Sequence, residues 1–414
     1  MVEKKVQRSQ APTARRAPLR LRVAVAAERI LRSGHPWLFA ENIRAQNRPG
    51  EVGELAVIYD RNDRFLALGL FDPNSPIRVR ILHAGKPREL NAAFWQSRLE
   101  PAFARRDGLF DAQTTGFRWI NGESDGWPGL VLDRYGASTV LKLYTAAWLP
   151  WLDQIVQLLN CRLRPERIVL RLSRNAQQLA ADRFGRHDGE IVNGAPLKGP
   201  VVFLENRLQF QADVLRGQKT GFFLDQRENR SKVETLAPGR SVLNAFSFSG
   251  GFSLYAARGG ASSVTDLDIS AHALAEAEKN FTLNRSCSAI RSCRREQIQS
   301  DAFDWFAGNP SRRFELLILD PPSFARRESD RARALVAYSR LVSLGLSHLK
   351  ANGVLVACSC SAHVSEDQFF EAVRGAVGRS RRPCAELARG GQPADHPASI
   401  PEARYLKSIY LRVG

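Results

Sequence analysis

From residue 200 onward, short apolar runs alternate with longer stretches in which apolar residues recur at helical spacing. The short runs predict strands at 242–245, 263–266, 314–319, 354–357 and 408–413. The longer stretches predict helices at 251–258, 271–284, 331–349 and 366–377. Strands and helices in strict alternation predict an α/β fold with a parallel, doubly wound, Rossmann-like sheet.

The preceding residues show a different pattern. Residues 21–85 contain closely spaced strand-like runs separated by turn residues, which predicts a small β-barrel. Residues 86–199 predict a small α+β module, with a loop or hairpin over 174–199. Residues 1–20 read as a disordered basic arm that contacts RNA phosphates or is inert. The predicted organisation is therefore arm (1–20), barrel (21–85), central module with linker (86–199) and α/β domain (200–414).

The charge balance narrows the class of partner. The 414 residues include 60 Lys and Arg against 42 Asp and Glu, a net charge of +18. This excess favours a polyanion such as nucleic acid, although a solvated basic surface gives the same number. No apolar run reaches the roughly 18 residues of a membrane span. The six cysteines lack zinc-finger spacing, so we expect a reduced, cytoplasmic protein without a metal site.

Two apolar runs end in residues that carry chemistry. Asp320 follows 316–319 and Cys360 closely follows 354–357. If both runs are parallel strands, an acid and a thiol lie side by side at the sheet edge where such folds bind ligands. A thiol and a carboxyl group there can attack and orient a flat heterocycle.

A strand, a glycine turn and a helix start span 241–251, and helix N-termini offer free N–H groups to a ligand. Asp268 ends the next strand, where an acid accepts ribose hydroxyls, and Asp301 is placed to meet an adenine amino group. A dinucleotide enzyme would favour G-x-G-x-x-G. In order with Asp320, these residues resemble class I S-adenosylmethionine (SAM) methyltransferases. The resemblance implies cofactor contacts from Phe222, Asp225, Arg227, Asn244, Phe246, Ser247, Gly250, Asp268, Asp301 and Asp320.

The segment 219–230 mixes aromatic and charged residues without an apolar period. We expect it to wrap the cofactor, with Arg227 near the SAM carboxylate. The alternative is a linker that contains a helix start.

Cys360 is the predicted nucleophile. Carbon 5 of a pyrimidine is too weak a nucleophile unaided, but a thiolate added at carbon 6 makes it enamine-like and able to take the methyl group. Asp320 is expected to hydrogen-bond the ring nitrogen and neutralise developing charge. We expect Cys358 to point to the opposite strand face and to pack.

The residues after Asp320 predict a base-binding wall. Pro321 and Pro322 stiffen the chain and remove N–H donors, which leaves carbonyls to face the substrate. Phe324 is expected to stack on an extruded base. Of the histidines, His35 is expected to be structural, whereas His396 lies either near the active site or in a structural turn.

The sequence resembles the bacterial PUA-domain methyltransferases that form 5-methylcytosine in large-subunit ribosomal RNA. The matching segments are 35–39, 120–135, 219–230, 244–251, 320–324, 359–361, 394–397 and 405–407. The resemblance covers residues 21–414 and implies an RNA-binding PUA barrel, a central α+β module and a methyltransferase domain. It places Cys360 and Asp320 on the family's cysteine and acid, and it implies ribosomal RNA as partner. Cys358, Ala362 and Gln392-Pro393 depart from the family's pattern.

Two rival functions remain open. Enzymes that methylate exocyclic base amines also carry D-P-P-x-F motifs and need no thiol. A non-catalytic RNA-binding assembly factor with a SAM fold would bind no SAM. Chains with this domain order often pair through the central module, so a homodimer is also left open.

Overall fold

The computed structural model describes residues 17–414 and begins with a six-stranded mixed sheet. Its strands are β1 (Leu19–Val23), β2 (Trp37–Phe39), β3 (Ile43–Gln46), β4 (Leu55–Tyr59), β5 (Phe65–Phe71) and β6 (Ile77–Ala84). They lie in the order β2-β6-β5-β4-β1-β3, and helix α1 (Val25–Arg32) packs against β5. The predicted run of closely spaced strands is confirmed.

The start of this sheet corrects the predicted boundary of the basic arm. Strand β1 begins at Leu19, because Leu19 and Leu21 are both buried in one core while the residue between them is exposed. Residues 1–16 of the predicted arm lie outside the described residues. His35 accepts a hydrogen bond from the Trp37 backbone N–H at Nδ1 (3.3 Å), which agrees with its structural assignment.

The central module is a five-stranded sheet with three helices. In chain order the elements are α2 (Ala92–Ala104), β7 (Gly116–Asn121), β8 (Leu130–Tyr135), β9 (Ser138–Leu143), α3 (Leu152–Leu163), β10 (Arg167–Leu172), α4 (Arg174–Phe184) and β11 (Glu190–Gly194). The sheet order is β11-β10-β9-β8-β7. In its core Trp95, Trp127 and Trp148 are in mutual contact, with ring centroids 5.6, 5.8 and 5.8 Å apart.

The loop or hairpin predicted over 174–199 was wrong. This segment forms α4 and β11, because Ala176 and Ala180 lie one helical turn apart on the buried side of an otherwise polar helix. Gly185 ends the helix in the left-handed conformation (φ +61°) that glycine adopts most easily. The apolar face is too narrow to show in a hydrophobicity pattern.

A β-hairpin joins the central module to the last domain. Its strands, β12 (Val201–Glu205) and β13 (Leu208–Ala212), are joined by Asn206 and Arg207, both with positive φ, as two-residue hairpin turns require. Glu205 is fully buried and accepts two hydrogen bonds from Arg230 at 2.8 and 2.7 Å. This buried pair fixes the hairpin to the helix that carries Arg230.

The last domain is a seven-stranded sheet in the order β16-β15-β14-β17-β18-β20-β19. The strands are β14 (Ser241–Ala245), β15 (Ser263–Asp268), β16 (Arg294–Gln299), β17 (Phe314–Leu319), β18 (Leu349–Ser359), β19 (Cys384–Gly390) and β20 (Lys407–Val413). The first five in that order are parallel, and β20 is antiparallel to its neighbours. The helices are α5 (Arg227–Leu236), α6 (Gly251–Arg258), α7 (Ala271–Leu283), α8 (Ser288–Ser292), α9 (Ala302–Gly308), α10 (Arg331–Ser347) and α11 (Glu366–Arg379).

Each face of this sheet has its own core, which confirms the predicted doubly wound α/β fold. Along β17, Leu316 and Ile318 belong to one hydrophobic cluster, whereas Leu317 and Leu319 belong to the other. Because alternate residues of a strand point to opposite faces, both faces are covered and the strand reads as a continuous apolar run.

Candidate active site

The acid and the thiol lie at neighbouring strand ends. Strands β17 and β18 are paired in parallel with Leu319 opposite Ala357. Asp320 is the first residue after β17, and Cys360 is the first residue after β18. Both side chains are half-buried, so they line one recess at the carboxyl edge of the sheet.

Asp320 is held by an amide that the sequence did not single out. Gln226 Nε2 donates to both carboxylate oxygens at 2.9 Å, and Asn229 in turn donates to the Gln226 carbonyl oxygen. Burial, together with the negative charge of Asp225, raises the pKa of Asp320 to about 7. Asp320 is therefore partly protonated at neutral pH and can donate as well as accept a hydrogen bond.

Cys360 is neutral at physiological pH in the RNA-free protein. Burial and the nearby Asp320 raise the pKa of its thiol to about 11. Cys358 is 1% exposed and packs in the core, but the expectation that it faces the opposite side was wrong. Residues two apart on a strand share a face, and Cys358 belongs to the same cluster as Val356.

The residues after Asp320 form the floor of the recess. Pro321 is buried and Pro322 is exposed. Phe324 is half-buried, with ring centroids 4.9 Å from Tyr338 and 6.3 Å from Phe303. Part of the Phe324 ring stays exposed, and its stacking on a base stays a prediction.

The glycine turn after β14 has a strained backbone. Phe246 and Phe248 have φ of +62° and +46°, a region that non-glycine residues rarely adopt. A Cβ on Gly250 would lie 2.8 Å from the Ala277 Cβ, so only glycine fits there. The hydroxyls of Ser247 and Ser249 are buried without a hydrogen-bond partner among the described residues. These unpartnered hydroxyls and the tight turn fit a polar ligand lying across the strand end.

Asp268 and Asp301 lie at the carboxyl ends of the next two strands. Asp268 ends β15 and accepts the backbone N–H of Phe248 at 2.8 Å, which joins it to the glycine turn. Asp301 caps α9 through Oδ1, and its Oδ2 accepts no hydrogen bond within the described residues. The two carboxylates thus lie at the ends of adjacent strands, on the same edge of the sheet as the glycine turn.

Two predicted cofactor ligands are buried and bonded to other side chains. Asn244 has no exposed surface and donates to Ser253 Oγ at 3.0 Å, so it supports the turn from beneath. Arg227 is 1% exposed, pairs with Asp395 and lies 4.5 Å above the Phe110 ring. The guanidinium of Arg227 neutralises the buried Asp395, and its expected contact with the SAM carboxylate stays a prediction.

The rest of the 219–230 segment does reach the recess. Lys219 Nζ and the Tyr405 hydroxyl both donate to Asp225 Oδ2, while Asp225 Oδ1 is buried without a partner. Burial alone would raise the pKa of Asp225, but Lys219 holds it well below its usual range. Phe222 is buried and contacts the turn from below, since a Cβ on Gly251 would lie 3.6 Å from its ring.

Sequence reasoning missed Gln226 and Lys407 as contributors to the site. Gln226 lies inside the segment that was singled out, but only the fold brings it to Asp320. Lys407 Nζ donates to the backbone carbonyls of Ser361 and Val364, both at 2.6 Å, and fixes the turn after Cys360. His396 is 1% exposed beside Asp395 and lies close enough to influence the pKa of Asp225, so it is buried in a turn that also borders the site.

Comparison with known proteins agrees with this geometry. Residues 173–411 match the family described as S-adenosylmethionine-dependent methyltransferase, and residues 21–84 match the PUA-like domain. The chain belongs to the S-adenosylmethionine-dependent methyltransferase family. This methyltransferase uses SAM as its cofactor. The unpartnered hydroxyls of the glycine turn, with Asp268 and Asp301, fit that cofactor.

Relatives align along nearly the whole methyltransferase. It is 54% identical over 410 residues to a Deinococcus radiodurans protein named ribosomal RNA large subunit methyltransferase. That alignment covers 97% of this chain and 99% of the relative. It is 32% identical over 408 residues to ribosomal RNA large subunit methyltransferase I of Shewanella frigidimarina, with 95% and 99% covered.

Solved structures show the same fold. A SAM-dependent methyltransferase from Streptococcus mutans superposes with a TM-score of 0.79 at 23% identity, covering 95% of this chain and 100% of that one. A methyltransferase solved in complex with S-adenosylhomocysteine gives a TM-score of 0.80 at the same identity and coverage.

Residues 17–414 show neither a membrane-spanning helix nor a metal centre. In that range, no helix combines the length and apolar character needed to cross a bilayer. Nor do the described residues hold a group of three His, Cys, Asp or Glu side chains arranged to bind a metal ion.

Replacing Asp268 tests the cofactor site. We expect Asp268→Ala to weaken SAM binding about 10- to 100-fold, because a charged hydrogen bond to a hydroxyl contributes about 1.5–3 kcal/mol. Calorimetry on the full chain measures the affinity. Asp182→Ala, on the exposed side of α4, is the control and should bind SAM like the wild type. Unchanged affinity in Asp268→Ala would place the ribose elsewhere.

Proposed function

We propose that this methyltransferase forms 5-methylcytosine in large-subunit ribosomal RNA through a covalent adduct between Cys360 and the base. The observation that carries the proposal is the position of Cys360 beside Asp320 at adjacent strand ends of a SAM-dependent fold. The relatives named ribosomal RNA large subunit methyltransferases support the RNA substrate. A homodimer stays a prediction from the sequence.

The two side chains divide the chemistry between them. The Cys360 sulfur bonds to carbon 6 of the cytosine, while Asp320 shares its proton with the ring nitrogen and neutralises the charge that develops there. SAM supplies the methyl group that carbon 5 accepts. Loss of the carbon-5 proton to a base then allows the bond between sulfur and carbon 6 to break, and the thiol is regenerated.

The pKa values of the pair set how many protons the site holds and where they rest. Between about pH 7 and about pH 11, Asp320 and Cys360 together hold one proton. In the resting site that proton lies on Cys360, whose pKa is the higher of the two. Once the proton moves to Asp320, the sulfur is a thiolate and the acid can hydrogen-bond the ring nitrogen. The site therefore reaches its reactive form by moving a proton within the pair, with no net change of charge.

A second candidate is methylation of an exocyclic base amine. The observation that favours it is the raised pKa of Cys360, since a neutral thiol suits a site that needs no nucleophile. The products differ in whether nitrogen or carbon carries the methyl group, so nucleoside mass spectrometry separates the two candidates.

Replacing Cys360 tests the nucleophile. We expect Cys360→Ala to lower methyl transfer to ribosomal RNA about 10³-fold or more, because carbon 5 loses its activation. The control is Cys384→Ala, which removes an exposed thiol from β19 and should leave the rate unchanged. A C-methylated cytidine from the wild type is the expected product. Full activity in Cys360→Ala would exclude the covalent route.

The pH profile tests the role of Asp320. Below about pH 7 both groups are protonated, so kcat/KM for RNA should rise about tenfold per pH unit and then level off above pH 7. Asp320→Asn should lower the rate about 10²- to 10⁴-fold and keep rising through pH 7, because only the thiol then titrates. If the pH profile of Asp320→Asn still levels off near pH 7, the titrating group is a residue other than Asp320.

A further inference from the structure

Tyr144, at the end of β9 in the central module, has an aromatic ring that the fold does not use. It is 50% exposed and is the only aromatic residue among the exposed large apolar side chains of the described residues. A single exposed apolar side chain is ordinary on a protein surface. Its surroundings distinguish Tyr144 from such cases.

The Tyr144 ring lies beside charged side chains. Burial raises the pKa of its hydroxyl, and the charged groups that act on that hydroxyl are Arg118, Lys219, Asp133 and Asp225. The Lys142 ammonium lies 5.8 Å from the ring centroid. A half-exposed ring beside cations offers a flat face and positive charge together. We call the surface formed by Tyr144, Lys142 and Lys219 the Tyr144 cleft.

This cleft is continuous with the candidate active site. Lys142 Nζ donates to the backbone carbonyl of Lys219 at 3.2 Å, and Lys219 pairs with Asp225. The next residue after Asp225 is Gln226, which holds Asp320. A contiguous set of contacts thus leads from the central module to the reactive acid.

The same cleft also borders strand β20. Tyr405, which donates to Asp225, lies two residues before β20, and β20 pairs with β18 so that Lys407 is opposite Ser359. The glycine turn lies at β14, on the other side of β17. Tyr144 therefore reaches the site through Lys219 and Tyr405, on the side of the sheet where β20 pairs with β18.

We propose that the cleft between β9 and the catalytic domain binds the single-stranded RNA around the target, with Tyr144 as the stacking surface for one of its nucleobases. Aromatic side chains next to cations are the usual means of holding unpaired strands, because every base has a face to stack and a phosphate to neutralise. Lys142 and Lys219 supply the cations. The inference rests on the proposed function and assigns part of the RNA recognition to the central module.

The test compares Tyr144→Leu with Tyr144→Phe in the full chain. The probe is a short single-stranded RNA of mixed sequence that contains cytosine, and fluorescence anisotropy measures its Kd. We expect Tyr144→Leu to weaken RNA binding about 5- to 100-fold and Tyr144→Phe to bind like the wild type, since stacking needs the ring and not the hydroxyl. SAM affinity by calorimetry should stay unchanged in both. Val202→Ala, an exposed apolar position on β12, is the matched control.

Salt dependence separates stacking from a general loss of structure or charge. Tyr144→Leu should keep the wild-type slope of log Kd against log salt, whereas Lys142→Gln should reduce it by about 0.7. Wild-type affinity in Tyr144→Leu, or equal loss in Tyr144→Phe, would overturn the inference. If Tyr144→Leu binds normally while the wild type methylates RNA, the inference alone fails. If the wild type transfers no methyl group to RNA, the proposed function fails, and stacking is judged from binding alone.

Discussion

The parallel pairing of β17 with β18 is the constraint on which the site depends. Because Leu319 lies opposite Ala357, the two strands end within a few residues of each other and bring Asp320 and Cys360 into one recess. A shift of one residue in this register would turn the apolar side chains of β17 to the wrong faces and separate the acid from the thiol. The two cores that cover the sheet therefore also fix the chemistry.

The charges around the recess set the protonation of the pair. Asp225 is kept ionised by Lys219 and accepts a hydrogen bond from Tyr405, and its charge helps to raise the pKa of Asp320. Burial keeps Cys360 protonated until the acid accepts its proton. Lys219 and Asp225 also lie between Asp320 and Tyr144 in the chain of contacts. The residues that set the protonation of Asp320 are therefore shared with the proposed RNA-binding surface.

Much of this fold could be predicted from sequence, because buried parallel strands are continuous apolar runs bounded by polar residues. Strand β17 and helix α6 lie where the pattern placed them. Helix α4 was missed since only two alanines mark its buried face. At the site, strand ends located Asp320, Cys360 and Asp268, but no pattern shows which partner a buried charge finds. For that reason the pairing of Arg227 with Asp395 could not be predicted.

The central claim is that Cys360 forms a covalent bond with a cytosine, and the most direct measurement traps that bond. RNA carrying 5-fluorocytidine at the target cannot lose its carbon-5 substituent as a proton, so the adduct should persist after methyl transfer. After reaction with SAM, we expect mass spectrometry of the digested protein to find the nucleotide on the peptide that contains Cys360. Methylated RNA without any protein-bound nucleotide, or a nucleotide on another residue, would contradict the account.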